Sequence, residues 1–492
     1  MLNNRKHQIL VKTIVATLCT LSVATVLSVT PLRSLPTVAA QSSSYEQNQV
    51  NKLQSANWAP TVKKGLNDFL RTYGNSSATY TKINHSYAVF DFDNTTSIMD
   101  VEEQLIIWQL DHLAFAIAPE QFAAVLRSGI PADKLAATYG ALDGKGNPVI
   151  INAAINDASK AYAALYQKKL VSTTGKELSA QVKASPDFKE FTAKMRWLYD
   201  AIGETMDASV SYPWVTYWFT GMTPKQVYKL AYACDKYYSN PVQGCSWSKG
   251  TYASPPQAIT LAGPVSVSYK LGVTVTPEIR ELYGSLQNND IDNWICSASA
   301  LDVIKAAVDA FKLPGVKGIV AMTNKTLNGK YINSYDYDLH AQTQGVGKAE
   351  AVGKILVPKY KGHGPAFCAM DSQGDFNFCT EFKDTKAVLI VNRQRKDDAA
   401  LCAGIAVWQK EQVIDLATAN KNADSLFLLQ GRNENNGTFW PDDSTLLLGK
   451  KEKVFLSAKG KKALEQLNSG MSIAQVLKTD TKLEHYQGYK TR

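Results

Sequence analysis

The sequence predicts an α/β protein: a parallel sheet with crossover helices, interrupted after its first strand by a large, mostly helical insertion. Three observations predict this fold. An apolar run from Tyr87 to Phe90 ends in acidic residues, as a buried strand does at the edge of a sheet. Helical periodicity dominates residues 100–275. Strand and helix patterns then alternate to about residue 395, which is typical of a parallel sheet.

The N-terminal segment, residues 1–40, has the pattern of a secretory signal peptide. Arg5 and Lys6 precede an apolar stretch, and Val38 and Ala40 are small residues at the cleavage positions. An uncleaved membrane anchor is the alternative, but Thr and Ser residues interrupt the apolar stretch and a good cleavage site follows it. We therefore expect a secreted or cell-envelope protein without a stable membrane span after cleavage.

Charge and composition favour a soluble enzyme and exclude a nucleic-acid-binding protein. The formal net charge is +9, and four basic residues with no acids lie in residues 1–40, so the mature chain carries +9 minus +4, or +5. No basic stripe interleaved with aromatic residues accompanies this excess. A mild positive charge is compatible with anionic small-molecule substrates. With 45% hydrophobic residues, the chain has material for a sizeable core.

The remaining elements follow in order along the chain. Residues 41–99 and 277–395 are predicted to form the core, residues 100–276 a helical cap, and residues 396–492 a C-terminal extension that packs on the core. The predicted helices and strands are a lead-in helix in 46–74, a strand at 86–91, helices at 103–117, 148–170, 176–207 and 223–239, a strand at 265–275, a helix that begins at 276–278, and helices at 399–419 and 458–476.

Two acids one residue apart, Asp91 and Asp93, follow the first predicted strand. A strand that ends at Asp91, followed by a turn through Asp93 and Asn94, directs both carboxylates into one crevice. Two close carboxylates suit a hard divalent cation and phosphoryl chemistry, with Asp91 as nucleophile and Asp93 as general acid and base. The alternative is a strand end followed by an ordinary Asx turn.

The segment Asp-x-Asp-x-Thr at 91–95 resembles the first motif of the haloacid dehalogenase-like (HAD) superfamily, and three further segments resemble its other motifs in the expected order. They read Trp-Ile-Cys-Ser-Ala-Ser at 294–299, Gly-Lys-Ala-Glu-Ala-Val at 347–352 and Ala-Met-Asp-Ser-Gln-Gly-Asp at 369–375. The resemblance implies an HAD-like Rossmannoid core with a helical cap inserted after the first motif. Phosphatases of this superfamily keep the second aspartate of the first motif, whereas its dehalogenases lack it. The resemblance therefore implies, through Asp93, phosphoryl transfer rather than dehalogenation.

The resemblance further implies a set of site residues for phosphomonoester hydrolysis through an aspartyl-phosphate. The expected catalytic residues are Asp91 and Asp93. Phosphate binding is expected at Asn94 and Thr95, through their backbone amides, and at Ser297 and Lys348. The expected cofactor is Mg²⁺, bound by Asp91, the backbone carbonyl of Asp93, Asp371 and, nearby or through water, Asp375.

Two features on the cap side bear on the leaving group. Glu102 and Glu103 follow the first motif, and Tyr212 and Trp214 belong to an aromatic run at 212–219. Acids and aromatic faces suit an organic cation, although core packing is the alternative for an aromatic cluster. Together with the segment at 428–437, these stretches look similar to secreted bacterial phosphorylcholine phosphatases. That likeness implies choline phosphate or a related ester as substrate.

Other functions remain open from the sequence alone. One is a phosphatase for phosphoserine, phosphoethanolamine or a sugar phosphate. Another is a non-catalytic secreted binding protein on an HAD scaffold, which would have no need of the full set of acids. Among the cysteines, Cys234 and Cys245 flank a turn-rich segment and are the best candidate disulfide, whereas Cys296 and Cys368 lie in apolar strands and are at least as compatible with buried thiols.

Overall fold

A computed structural model of the chain describes residues 51–131, 151–240 and 247–479. The predicted signal peptide and Cys245 lie outside these ranges. In the described part of the chain, no helix is long and apolar enough to cross a membrane. The thiols of Cys296 and Cys368 are both buried, and neither cysteine is in a disulfide within these ranges.

The first core elements agree with the sequence pattern. Helix α1 (Pro60–Tyr73) buries one apolar face, which includes Val62, Leu66 and Phe69, and Pro60 at its first turn needs no hydrogen-bond partner for its nitrogen. Strand β1 (Tyr87–Phe90) is buried on both faces. A four-residue strand of this kind belongs in the centre of a parallel sheet.

The insertion after β1 is mostly helical, as predicted. Asp100 caps its first helix by accepting a hydrogen bond from the backbone N–H of Glu103 at 2.8 Å. The inserted elements are α2 (Val101–His112), α3 (Pro119–Arg127), α4 (Ile151–Gln167), α5 (Ala180–Ala184), α6 (Pro186–Thr205), α7 (Ala208–Thr216), α8 (Pro224–Tyr238) and the antiparallel pair β2 (Ser248–Ala253) and β3 (Ser266–Leu271).

The chain returns to the core at Thr276, whose side chain caps the next helix by accepting from Ile279 N–H at 3.2 Å. Helices and strands then alternate, apart from the hairpin of β6 and β7 and the consecutive helices α13 and α14. The elements are α9 (Pro277–Asn288), β4 (Asp292–Ala300), α10 (Leu301–Phe311), β5 (Val316–Met322), β6 (Asn324–Leu327), β7 (Lys330–Tyr335), α11 (Val346–Ile355), β8 (Phe367–Met370), α12 (Phe376–Thr380), β9 (Ala387–Val391), α13 (Ala399–Glu411), α14 (Leu416–Lys421) and β10 (Leu426–Gln430).

Six of these strands form one parallel sheet in the order β10-β9-β8-β1-β4-β5. From β1 the chain first adds β4 and β5 on one side, and it later adds β8, β9 and β10 on the other. Strand β1 is therefore the point at which the order reverses, and a crevice is expected at its carboxyl end. The predicted α/β fold, a parallel sheet with a mostly helical insertion after its first strand, is confirmed.

The sheet extends beyond residue 395, where the sequence analysis ended the core. Strand β10 is its outermost strand and pairs with β9 over all five of its residues. Its apolar run is too short for periodicity to assign it as a strand. After it come the four short strands of a second sheet and two helices: β11 (Arg432–Asn433), β12 (Thr438–Phe439), β13 (Thr445–Leu446), β14 (Lys453–Val454), α15 (Ala458–Asn468) and α16 (Ile473–Leu477).

Candidate active site

Residues of all four motifs meet at the carboxyl end of β1, β4 and β8. They line a cavity of about 130 Å³. Every motif residue on its wall follows or ends a strand, or lies in the first turn of a helix, so the parallel sheet alone brings them together. The lining residues that bear on chemistry are Asp91, Asp93, Asn94, Asp100, Tyr212, Ser299, Gln344, Lys348, Asp371, Asp375, Arg393 and Arg395.

Lys348 joins two of the aspartates at the base of the cavity. Its ammonium group donates to Asp91 Oδ1 and to Asp375 Oδ1, each at 2.6 Å, and all three side chains are buried. Thr95 Oγ1 donates to the second oxygen of Asp91 at 2.8 Å. Burial raises the pKa of Asp91, the charge of Lys348 opposes this rise, and Asp371 adds to it. The same kind of burial, with the charge of Asp91, raises the pKa of Asp375 to about 7.

Asp93 lies beside Asp91 but has different partners. One carboxylate oxygen accepts from Val101 N–H at 2.7 Å, and the other accepts from Ser299 Oγ at 2.7 Å. Burial raises the pKa of Asp93 well above its usual range, and the charges of Asp100 and Asp91 add to the rise. A raised pKa means that Asp93 keeps its proton to a higher pH than a free carboxyl group does, which suits it to protonate a leaving oxygen.

Three carboxylates form a candidate metal centre. Ligand oxygens of Asp91, Asp371 and Asp375 all lie within 4.8 Å of one another. The cations that contact them are Lys348 and Arg393, whose Nη1 donates to Asp371 Oδ2 at 2.6 Å. Three negative charges minus two positive charges leave one negative charge, which a bound cation would neutralise. Oxygen ligands of this kind are those that Mg²⁺ prefers, so the residues fit the predicted ion.

The predicted phosphate-binding residues are only partly on the cavity. Asn94 and Lys348 line it, and Thr95 contacts it through Asp91. Ser297 does not line it: this side chain is fully buried, and its hydroxyl accepts from Ser299 N–H at 3.1 Å. Strand β4 continues to Ala300, so Ser297 lies deeper in the sheet and Ser299 reaches the edge.

Of the four predicted substrate residues, only Tyr212 reaches the cavity. Glu102 is buried and accepts from Ala300 N–H at 3.0 Å, and burial raises its pKa to about 8. Glu103 pairs with Arg196 at 2.6 Å. The structure does not bring Trp214 to the cavity: this side chain is 1% exposed, and its indole donates to Leu126 O at 2.7 Å. Residues two apart on a helix point to nearly opposite sides, so Tyr212 and Trp214 cannot form one cage.

Five cavity-lining residues that bear on chemistry were not predicted from the sequence: Asp100, Ser299, Gln344, Arg393 and Arg395. Asp100 precedes Glu102 and Glu103 in the sequence and caps α2. Arg393 and Arg395 directly follow the buried strand β9, which is the same signal that identified Asp91 after β1. Gln344 precedes the third motif and carries no signal of its own in the sequence.

Comparisons with known proteins add a fold relative of unknown activity. No family model matches the chain, and no curated protein matches it. A crystal structure of a conserved protein of unknown function from Anaerococcus prevotii DSM 20548 is 26% identical over 82% of this chain and 100% of that chain, with a TM-score of 0.67.

Two further structures are much less similar. A protein of unknown function from Bordetella pertussis Tohama I is 12% identical over 67% of this chain and 98% of that one, with a TM-score of 0.31. Cytosolic 5′-nucleotidase IIIB bound to cytidine is 11% identical over 68% of this chain and 78% of that one, with a TM-score of 0.29. Likenesses this weak carry no argument about activity.

Proposed function

We propose that this protein is a Mg²⁺-dependent phosphomonoesterase that forms an aspartyl-phosphate, a mixed anhydride, on Asp91. One observation carries the proposal. A buried carboxylate, Asp91, is held by Lys348 at 2.6 Å within a three-carboxylate cluster, and a second carboxyl group with a strongly raised pKa, Asp93, lines the same cavity. This pairing of a fixed nucleophile with a protonated acid is what two-step phosphoryl transfer needs.

The residues divide the chemistry between them. A carboxylate oxygen of Asp91 attacks the phosphorus, and Asp93 donates its proton to the leaving oxygen as the P–O bond breaks. Asp93, now ionised, takes a proton from water, which attacks the phosphorus of the aspartyl-phosphate and releases phosphate and free Asp91. Lys348 stabilises the phosphoryl oxygens, and Ser299 holds Asp93 in place by donating a hydrogen bond at 2.7 Å.

The metal ion would be held by Asp91, Asp371 and Asp375. When bound, Mg²⁺ neutralises charge on the phosphoryl oxygens and reduces the repulsion between the phosphate and the carboxylates. Arg393 keeps Asp371 in position at 2.6 Å.

Phosphorylcholine or a similar small cationic ester is our proposed substrate class. Asp100 and Tyr212 line the cavity, so an acid and an aromatic face are available to an organic cation, in place of the glutamates chosen from the sequence. Arg395 lines the same cavity and favours a second candidate, a leaving group that carries a carboxylate, such as that of phosphoserine. Phosphoethanolamine and sugar phosphates complete the set of small leaving groups.

A panel of phosphomonoesters tests the proposal. We expect the purified mature chain to hydrolyse p-nitrophenyl phosphate and at least one of phosphorylcholine, phosphoethanolamine, phosphoserine and glucose 6-phosphate with Mg²⁺. We expect Asp91→Asn to reduce this to background at an unchanged melting temperature. Asp309→Asn is the matched control, because the exposed Asp309 accepts from the hydroxyl of the half-buried Tyr228 and does not line the cavity. Turnover by Asp91→Asn at the wild-type rate rules out the assignment, and binding without turnover by the wild type favours the non-catalytic alternative.

We also propose that the protein is secreted after cleavage of the peptide bond between Ala40 and Gln41. The support is the pattern of residues 1–40. N-terminal sequencing of the protein from its producing cells should give Gln41 as the first residue of the exported form. A chain that stays in the cytoplasm with Met1 intact contradicts this.

A further inference from the structure

A buried arginine from the C-terminal segment contacts the loop of the first motif. Arg432, in β11, is fully buried, and its guanidinium group is held by Glu434 Oε1 at 2.6 Å. It donates from Nη1 to the backbone carbonyl of Asn94 at 2.8 Å and from Nη2 to Asn94 Oδ1 at 3.0 Å. A planar guanidinium fixes both the backbone and the side chain of one residue in this way, which the point charge of a lysine cannot do.

Asn94 is the residue whose position most needs such support. It lies between Asp93 and Thr95, and its φ angle is 64°, a left-handed conformation that non-glycine residues rarely adopt. Its own N–H donates to Met99 O at 3.3 Å. A change in the orientation of Asn94 would move Asp93 on one side and, on the other, Thr95, which donates to the nucleophile Asp91 at 2.8 Å.

We propose that Arg432 is a positioning residue for phosphoryl transfer, and that it acts through Asn94 to fix the loop that holds Asp91, Asp93 and Thr95. This inference rests on the proposed function and gives the segment after β10 a role in the active site. Arg432 does not line the cavity and is not a catalytic residue. Lys348 also contacts this loop, by donating to Asp91 Oδ1 at 2.6 Å, so the two cations constrain it together.

Glu434 in turn orients Arg432. Its second oxygen accepts from the backbone N–H of Leu448 at 3.0 Å, and Lys270 lies 3.9 Å from that oxygen. A continuous series of hydrogen bonds thus leads from the second sheet, through Glu434 and Arg432, to the loop after β1. A rigid chain of this kind maintains the sub-ångström geometry that nucleophilic attack requires.

Arg432→Lys tests the inference, since it keeps the charge and removes the two-point contact. With p-nitrophenyl phosphate and Mg²⁺ we expect kcat to fall by about 10- to 100-fold, with KM changed by less than about twofold. We expect amide hydrogen exchange, followed by mass spectrometry, to become faster in the peptide that covers residues 89–99 and to stay unchanged in β4 and β9. Arg280→Lys is the matched control, because Arg280 also donates to a backbone carbonyl, that of Val275, at 2.6 Å. We expect it to have wild-type kcat and exchange.

Two outcomes overturn the inference: a wild-type kcat in Arg432→Lys, or faster exchange throughout the sheet, which marks a purely structural role. Asn94→Ala with Arg432→Lys completes a double-mutant cycle. The combined loss in kcat should be smaller than the sum of the single losses in log units, because both act on one contact. Full additivity contradicts action through Asn94. A wild type that hydrolyses no phosphomonoester refutes the proposed function instead, and the exchange pattern alone then decides on Arg432.

Discussion

The carboxyl edge of the sheet and the aromatic run at 212–219 differ in how their residues are placed. At the edge, Asp91, Asp371 and Asp375 converge because each follows a parallel strand or the turn after it. In the run, Tyr212 faces the cavity and Trp214 faces the core, although the two lie on one short helix. Residues that follow the strands of a parallel sheet can therefore be predicted to share a site from their order in the sequence, whereas a cluster of aromatic residues cannot.

Removal of the metal ion should have the largest effect on activity, and it tests whether the carboxylates at the edge of the sheet form a metal site. If the converging carboxylates hold Mg²⁺, activity should vanish with EDTA and return when Mg²⁺ is added. Mg²⁺ at 100 times its dissociation constant should also stabilise the fold by about 2.7 kcal/mol, because it binds only the folded state. Differential scanning calorimetry with and without the ion measures this. An unchanged melting temperature together with full activity after exhaustive chelation contradicts the metal centre.

Asp93→Asn should produce the next largest effect. Loss of the proton donor is expected to reduce kcat by about 10²- to 10⁴-fold. The loss should be greater for an alkyl ester such as phosphoethanolamine than for p-nitrophenyl phosphate, because p-nitrophenolate leaves without protonation. Ser299→Ala, which removes the 2.7 Å hydrogen bond to Asp93, should show the same substrate order with a smaller loss. Equal losses on both esters would show that Asp93 is not the acid.

Trp214→Ala and Tyr212→Ala test whether Trp214 packs in the core while Tyr212 contacts the substrate. Truncation of the buried Trp214 should cost about 3 to 5 kcal/mol of unfolding free energy and leave the ratio of kcat/KM for phosphorylcholine to that for p-nitrophenyl phosphate unchanged. Tyr212→Ala should change that ratio, since cation–π contacts contribute about 0.5 to 2 kcal/mol, and should have little effect on stability. Urea unfolding and steady-state kinetics measure the two effects. A changed ratio in Trp214→Ala contradicts the structural role assigned to it.

The fold and the acidic cluster could be predicted from sequence because both follow from local signals, namely apolar runs and the polar residues after them. The depth of Ser297 in the sheet could not be predicted, because the length of β4 depends on its pairing with β5. Arg432 could not be found at all. Its partner Asn94 lies 338 positions earlier, and no periodicity connects two residues across such a separation.

A separate prediction concerns the stability of the fold at acid pH. Burial opposes ionisation of Glu434, but the charges of Arg432 and Lys270 outweigh it and lower its pKa from 4.5 to about 2. A pKa that is lower in the folded state stabilises the fold at pH values above 4.5, and this contribution is lost as the pH falls from 4.5 to about 2. The contribution is on the order of 3 kcal/mol. Urea unfolding between pH 7 and pH 2.5 should show a shallower decline for Glu434→Gln than for the wild type, and parallel declines would contradict the ion pair.

The proposed mechanism requires that Asp91 becomes covalently phosphorylated, as an acyl phosphate, during turnover. Acid quench during turnover of p-nitrophenyl phosphate, followed by borohydride reduction and mass spectrometry of the peptide that contains residue 91, tests it most directly. The account predicts homoserine in place of aspartate at position 91, only when both substrate and Mg²⁺ are present, and none in Asp91→Asn. Steady turnover with no reduced residue at position 91 would contradict the account.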